Sequence, residues 1–137
     1  MAITTALCNT AKLGFLSGTF AAADVYKMAL YTNAATLDAS SSAYSATNEV
    51  AAGGAYFTGG PTLSGTTYTL TAGTASIDWA DPVWAASTIT ARGAMIYDSS
   101  KSNAAIAVFD FGSDIVSTNG TFTVNIPSAG VGVIRLA

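Results

Sequence analysis

The feature that most constrains the fold is a succession of short β-branched and aromatic stretches that fills the second half of the chain. Each stretch is bounded by Gly, Pro, Asn, Asp or Ser, the residues that favour turns. The stretches are residues 66–71, 74–80, 87–98, 104–111, 120–126 and 130–137. Because no helical periodicity separates them, they predict antiparallel strands in a sandwich or a barrel rather than a parallel sheet.

The N-terminal segment, residues 1–20, predicts a short helix. Thr4 or Thr5 could cap its first turn, and Gly18 would end it. An approximate three-to-four spacing of apolar residues indicates the helical face, which comprises Leu7, Ala11, Leu13, Phe15 and Leu16. We expect Cys8 to be a small buried side chain on or beside this face.

The region between the helix and the strand-rich half has two parts. Residues 24–32 alternate with period two and predict a strand. Residues 33–65 are rich in Gly, Ser and Thr and show few periodic residues. This passage exceeds the usual loop length, so it is either an ordered functional loop or an arm that becomes ordered on a partner. With 137 residues the chain predicts a single domain, with the core strands within residues 66–137.

The stretch from residue 87 to residue 112 predicts a β-hairpin with a defined register. Placing Arg92 opposite Asp110 offsets the charges in mid-strand and matches large residues with small ones. The further pairs in this register are Ile96–Ile106, Ala94–Val108, Gly93–Phe109, Tyr97–Ala105 and Met95–Ala107. Farther along, Asn119–Gly120 is a tight-turn signal.

Charge is scarce throughout the chain. Only 9% of the residues are charged, where about 25% is usual for soluble domains. Two interpretations stay open: a Ser/Thr-rich protein that is soluble through its hydroxyls, or a surface that packs against copies of itself or against partners. The few Lys and Arg residues are scattered, so we expect no nucleic-acid binding. No apolar run approaches the ~20 residues of a membrane span, so none is expected.

The absence of histidine removes most catalytic arrangements, including the Ser-His-Asp and Cys-His sets. With one cysteine it also removes the ordinary zinc sites. The triplet Asp110-Phe111-Gly112 lacks the companion motifs of a kinase and is interpreted as a strand terminus that meets a turn. Asp78 and Asp81 are interpreted as a strand end and turn rather than as a glycosidase pair. We therefore expect no enzymatic activity, no cofactor and no metal centre, although Asp78, Asp81 and Asp98 remain candidate calcium ligands.

Trp79 and Trp84 flank the turn around Pro82. Core packing is the first interpretation for two aromatic residues near a strand end. The alternatives are an interface anchor, since Trp is common at interaction hot spots, and a sugar-stacking platform. All three interpretations stay open at this point.

Three passages carry a resemblance to a known group. They are "DVYKMALYTNAATLDASSSAYSATNEVAAGGAYFTGG", "TITARGAMIYDSSKSNAAIAVFDFGS" and "GTFTVNIPSAGVGVIRLA". In this layout a short helix precedes a "K-x-A-L-Y-T" strand, and an "ITARGA-x-IY" strand leads to a terminal "I-R-L-A" strand. The layout resembles that of small virion structural proteins of tailed bacteriophages. The resemblance covers most of the chain and implies a role in the particle, on the capsid or on the tail, with no catalytic residues to carry over.

We therefore expect a mainly β fold, an antiparallel β-sandwich that is jelly-roll-like, with a short N-terminal helix. The expected function is that of a capsid cement or decoration protein in the virion, assembled in the cytoplasm of the bacterial host. Its expected partners are the major capsid protein and copies of itself, as a homo-oligomer. The alternatives are a tail, baseplate or fibre-associated protein, whose partners would be tail proteins, and a carbohydrate-binding module using Trp79, Trp84 and Tyr56. The candidate interface residues are Leu13, Phe15, Leu16, Tyr44, Val50, Tyr56, Phe57, Trp79 and Trp84.

Overall fold

The computed structural model describes residues 2–126 and 134–136, and in these ranges the chain is mainly β. Strands account for 49% of the chain, and the described ranges contain one short helix. The elements are β1 (Ala6–Leu7), α1 (Asn9–Ser17), β2 (Tyr26–Tyr31), β3 (Thr67–Thr71), β4 (Thr74–Asp78), β5 (Val83–Asp98), β6 (Ala104–Thr123) and β7 (Ile134–Leu136). They form antiparallel sheets with the orders β1-β6-β5-β2 and β3-β4-β7. The prediction of antiparallel strands with a short N-terminal helix is confirmed, while residues 130–133 and 137 of the last predicted strand lie outside the described residues.

The core lies on the larger sheet, where β2 pairs with the hairpin formed by β5 and β6. Every β2 residue except Lys27 is buried, on both faces of the strand. One face of β2 comprises Tyr26, Met28 and Leu30, as the period-two pattern predicted. On the opposite face Ala29 and Tyr31 are buried as well, and Tyr31 OH donates to Ser45 O at 2.7 Å.

Helix α1 packs through its smallest residues rather than through its leucines. Cys8 and Ala11 are fully buried, and a Cβ at Gly14 would overlap the ring of Phe20. Gly18 ends the helix in the left-handed conformation with φ 78°, as predicted. The prediction of a cap at Thr4 or Thr5 is wrong. The residues just before the helix, Ala6–Leu7, form strand β1 and pair with β6, and the N-cap is Cys8.

The predicted register of the hairpin is partly wrong. Tyr97 pairs with Ala105 as predicted, but a bulge between Ile96 and Tyr97 displaces the following pairs by one residue. The observed pairs are Ile96–Ala107, Met95–Val108, Ala94–Phe109 and Gly93–Asp110. Arg92 is therefore not directly opposite Asp110, yet its Nε lies 2.8 Å from Asp110 Oδ1, so the ion pair is present. The hydrogen bond from Arg92 lowers the pKa of Asp110.

Two turn signals of the sequence lie inside β6 rather than at strand ends. Phe111 to Asp114 bulge out between the pairs Ala91–Ile115 and Gly93–Asp110, and Gly112 has φ 83°. Asn119, with φ 47°, lies beside a second register shift in the pairing of β5 with β6. The predictions of a strand end at Asp110-Phe111-Gly112 and of a turn at Asn119–Gly120 are therefore wrong. Gly and Asn tolerate positive φ in bulges as they do in turns, so the local signal does not separate the two.

The passage of residues 33–65 runs along the outer edge of β2. Val50 N–H donates to Leu30 O at 2.9 Å, and Leu63 N–H donates to Tyr26 O at 2.8 Å. Isolated bridges join Tyr31 to Glu49 and Lys27 to Thr62. These contacts give the passage a defined path on its own chain and cover the edge of the sheet.

Candidate interaction surface

The outward face of α1 carries the most exposed leucines near the N-terminus. Leu13 and Leu16 are 71% and 78% exposed, respectively. They lie one turn apart on the face opposite Ala11 and Gly14, which are both buried, and Gly14 lies directly against the ring of Phe20. Phe15 is partly buried and packs on Phe20, with ring centroids 5.2 Å apart. Of the three candidate residues on this helix, two are thus available to a partner.

An open apolar groove of about 240 Å³ separates α1 from the sheet of β3, β4 and β7. Its lining residues are Leu7, Lys12, Phe15, Leu16, Tyr68, Ala75, Ile77 and Ile134. Lys12 is the charged member of this set, and its Nζ donates to Asn9 Oδ1 at 3.1 Å. On the sheet side, Tyr68 is 47% exposed and Leu70, two residues along β3, is 76% exposed. We call Leu16, Tyr68 and Leu70 the apolar patch.

Glu49 holds the passage of residues 33–65 in place through three hydrogen bonds. Its Oε2 accepts from Tyr44 OH at 2.7 Å, and its Oε1 accepts from Tyr56 OH at 2.6 Å and from Gly59 N–H at 2.7 Å. Tyr56 OH also accepts from Leu30 N–H at 2.9 Å. Burial, followed by the hydrogen bond to Glu49, raises the pKa values of Tyr44 and Tyr56. These phenols are therefore held neutral as structural donors.

The other candidate residues of this passage divide between core and surface. Val50 and Tyr56 are buried, and Tyr44 is half-buried and stacks on Tyr97 with centroids 4.6 Å apart. Phe57 is 72% exposed beside the buried Tyr56. Phe57 is thus the candidate of this passage that presents a large apolar side chain to solvent.

Trp79 and Trp84 lie in the core. Trp79 packs edge-on against Tyr26 at a centroid distance of 5.2 Å, and Trp84 packs against Phe122 at 5.8 Å. Both are almost fully buried, as is Tyr56. A sugar-stacking platform needs exposed ring faces, so these three residues do not form one, and of the three interpretations the structure supports core packing.

The acidic residues singled out in the sequence bind the chain's own backbone. Asp78 Oδ1 accepts from Trp79 N–H at 2.8 Å, and Asp81 Oδ1 accepts from Ile126 N–H at 2.6 Å. Within residues 2–126 and 134–136, no three His, Cys, Asp or Glu side chains come together as a metal site. Cys8 is buried, and this burial raises the pKa of its thiol to about 11.

Asp98, the last residue of β5, is fully buried, and its carboxyl lies near that of the partly buried Asp24, which precedes β2. Asp98 Oδ1 accepts from Ser100 N–H and Oγ–H, whereas its buried Oδ2 meets no hydrogen-bond donor in the part of the chain that the structure describes. Asp24 Oδ1 lies 3.5 Å from Lys101 Nζ. Burial raises the pKa of Asp98. The pKa of Asp24 is lowered although its burial acts in the opposite direction, because its carboxylate accepts a hydrogen bond from Ala21 N–H. Because burial raises its pKa, Asp98 binds a proton more readily than an exposed carboxyl does.

The sequence reasoning missed both Glu49 and the pair of Asp24 with Asp98. A signal for Glu49 was present, since it is the only charged residue between Asp38 and Asp78. A lone charge in an uncharged passage with nearby tyrosines indicates a satisfied structural carboxylate. The carboxyl pair had no such local signal, because its members lie far apart in the chain.

Comparisons with known proteins identify no relative. No family model, no curated protein and no solved structure matches the chain. Among the described residues, none of the helical segments has the length and apolar character needed to cross a bilayer.

Proposed function

We propose that this chain is a non-enzymatic structural protein of a bacteriophage virion, and specifically a capsid cement or decoration protein. The observation that carries the proposal is the set of large apolar side chains exposed on a surface with little charge. Its most exposed members are Leu13, Leu16, Phe57 and Leu70. The layout of the sequence, which resembles small phage virion proteins, supports the same conclusion. We further propose that the antiparallel sheets pack as a jelly-roll-like sandwich.

The energetic argument concerns what these side chains gain from a permanent contact. Complete burial of a leucine or phenylalanine is worth about 1.5–3 kcal/mol. Since about three quarters of each of the four side chains is exposed, they offer roughly 4–9 kcal/mol before the costs of association. A shell that repeats the contact many times multiplies this contribution, and permanent interfaces are apolar in this way.

The proposed partners are the major capsid protein and further copies of this chain, in the virion. Phe57 is the proposed contact on the passage of residues 33–65, and Leu13 and Leu16 are the proposed contacts on α1. A tail, baseplate or fibre-associated position is the second candidate. It rests on the same exposed residues and differs in the number of copies.

The test begins with purified particles of the phage that encodes the chain. We expect this chain in a copy number comparable to that of the coat protein, and particles that lack it should lose their genome at lower temperature. A copy number of a few per particle would favour the tail position. Absence from the particle would refute both.

A matched pair of variants tests the contact residues. Leu13→Ser combined with Phe57→Ser should leave the fold intact, because both side chains are exposed, but should reduce incorporation into particles. Thr88→Ser combined with Thr118→Ser changes exposed positions that have no proposed contact and should be incorporated normally. Equal incorporation of the two double variants would contradict the proposed contact surface.

A further inference from the structure

We propose that β3 forms an antiparallel pair with β3 of a second copy, so that the two three-stranded sheets join into one continuous sheet. This inference specifies the self-contact that the proposed function includes. It concerns the chain alone in solution, so its failure would leave contacts with a coat protein untouched.

The first observation is an open edge. β3 ends the order β3-β4-β7, and its hydrogen-bonded neighbour is β4 on one side. Within the described residues, Thr67–Thr71 form no backbone hydrogen bond beyond that pairing. Four of the five residues are exposed. The outer N–H and C=O groups of β3 are thus arranged to pair with another strand.

The second observation is that this edge is unguarded, whereas other edges are protected. The outer edge of β2 is covered by residues 33–65. β6 carries Asp110 and Asp114 together with the bulge at Gly112. Charges, bulges and covering loops are the usual means of preventing edge association. Among residues 2–126 and 134–136, no segment covers the outer edge of β3. The strand pairs with β4 without a register shift, and residues 50–77 contain no Glu, Asp, Lys or Arg.

The third observation identifies the occupant as a second copy. The β3 sequence Thr-Tyr-Thr-Leu-Thr is self-complementary about Thr69 in an antiparallel pair. A two-fold axis at Thr69 places Tyr68 opposite Leu70 of the partner subunit and Thr67 opposite Thr71 of the partner subunit. Aromatic–aliphatic and Thr–Thr pairs are both favourable across strands. Because neither copy brings a charge, the pairing buries no unpaired ion, and the isologous contact closes at a dimer.

The apolar patch contributes area to the same contact. A two-fold axis perpendicular to the sheet keeps Tyr68 and Leu70 of both copies on one face, and the grooves beside α1 then adjoin. At about 100 Å² per leucine and 200 Å² per tyrosine, the exposed parts of Leu16, Tyr68 and Leu70 amount to roughly 250 Å². A standard interface buries about 800 Å² per partner, so the patch and the backbone edge together predict a weak dimer that forms only at high protein concentration.

The test uses charge at the symmetry axis. Thr69→Lys and Thr69→Glu each place like charges opposite one another, so each variant alone should be monomeric in sedimentation velocity at about 300 µM, where the wild type should be dimeric. An equimolar mixture of the two variants should form dimers again, because Lys then lies opposite Glu. The control is Thr118→Lys on β6, which should dimerise like the wild type.

The outcomes separate clearly. A wild type that is monomeric at about 300 µM overturns the proposal, as does a Thr69→Lys variant that dimerises normally. A mixture that stays monomeric overturns the register at Thr69. If either variant fails to fold by circular dichroism, amide exchange of the wild type decides instead. Exchange in β3 should slow as the concentration rises from about 2 to 300 µM, and unchanged exchange refutes the pairing.

Discussion

Removal of the Glu49 carboxylate should destabilise the chain more than any other single loss of charge. In Glu49→Ala, Tyr44 OH, Tyr56 OH and Gly59 N–H lose their shared acceptor. Tyr56 is fully buried, so its hydroxyl cannot turn to water. The outer edge of β2 then loses the anchor that keeps residues 33–65 in place.

The magnitude follows from the three hydrogen bonds. Each bond to a charged acceptor is worth about 1.5–3 kcal/mol when buried. Glu49 is half-buried, and its own solvation in the variant offsets part of the sum. We therefore expect a loss of about 3–4 kcal/mol in the free energy of unfolding, or roughly 6–16 °C in Tm at this chain length. Glu49→Gln keeps one acceptor oxygen and should cost about 1–2 kcal/mol.

The assay is urea unfolding followed by tryptophan fluorescence and by circular dichroism. Asp114→Asn is the matched control, because it removes the same charge from an exposed side chain. The carboxylate of Asp114 accepts a hydrogen bond from Asn33 Nδ2 at 3.1 Å. This control should lie within about 0.5 kcal/mol of the wild type. Amide exchange in residues 33–65 should accelerate in Glu49→Ala alone. If Glu49→Ala and Asp114→Asn unfold at the same urea concentration, the proposed role of Glu49 is wrong.

Three further predictions test the packing and the buried ionisable groups. Gly14→Ala should lower the free energy of unfolding by about 1–3 kcal/mol, because the new Cβ overlaps the ring of Phe20. The control, Leu13→Ala, should change it by less than about 0.5 kcal/mol. Equal effects of the two substitutions would refute the close packing of α1 at Gly14. The folded pKa of Asp98 lies above its unfolded value, so its contribution is complete below pH ~4 and is lost as the pH rises through the folded pKa. Asp98→Asn cannot ionise and should gain stability relative to the wild type as the pH rises toward 8, whereas a difference independent of pH would contradict the raised pKa. Cys8 should react with an aromatic disulfide reagent at pH 8 only as fast as the chain unfolds, and rapid labelling would show that the thiol is accessible.

The local features of the fold were predictable because they depend on neighbouring residues. The alternation around Met28 predicted β2, and Gly18 predicted the end of α1 through its tolerance of positive φ. The contact between Arg92 and Asp110 followed from matching charges across a hairpin, and it is present although the register differs.

The bulges illustrate where local information ends. Gly112 and Asn119 favour positive φ in a turn and in a bulge alike, so the sequence alone could not show that β6 continues through both. The pairing with β5 decides between the two outcomes, and it depends on residues far from Gly112 and Asn119 in the sequence, such as Ala91 and Ser87. One bulge between Ile96 and Tyr97 is enough to displace four pairs of the hairpin.

The sequence by itself determined the class of the chain: β-rich, poor in charge and without histidine. Only the tertiary structure decided which apolar residues are buried. Ala11 and Gly14 face the core while Leu13 and Leu16 face solvent, because the distance between α1 and its neighbours leaves room for small side chains alone. It likewise decided that Glu49 is a structural anchor and that β3 is an open edge, since both depend on which distant segments lie beside them.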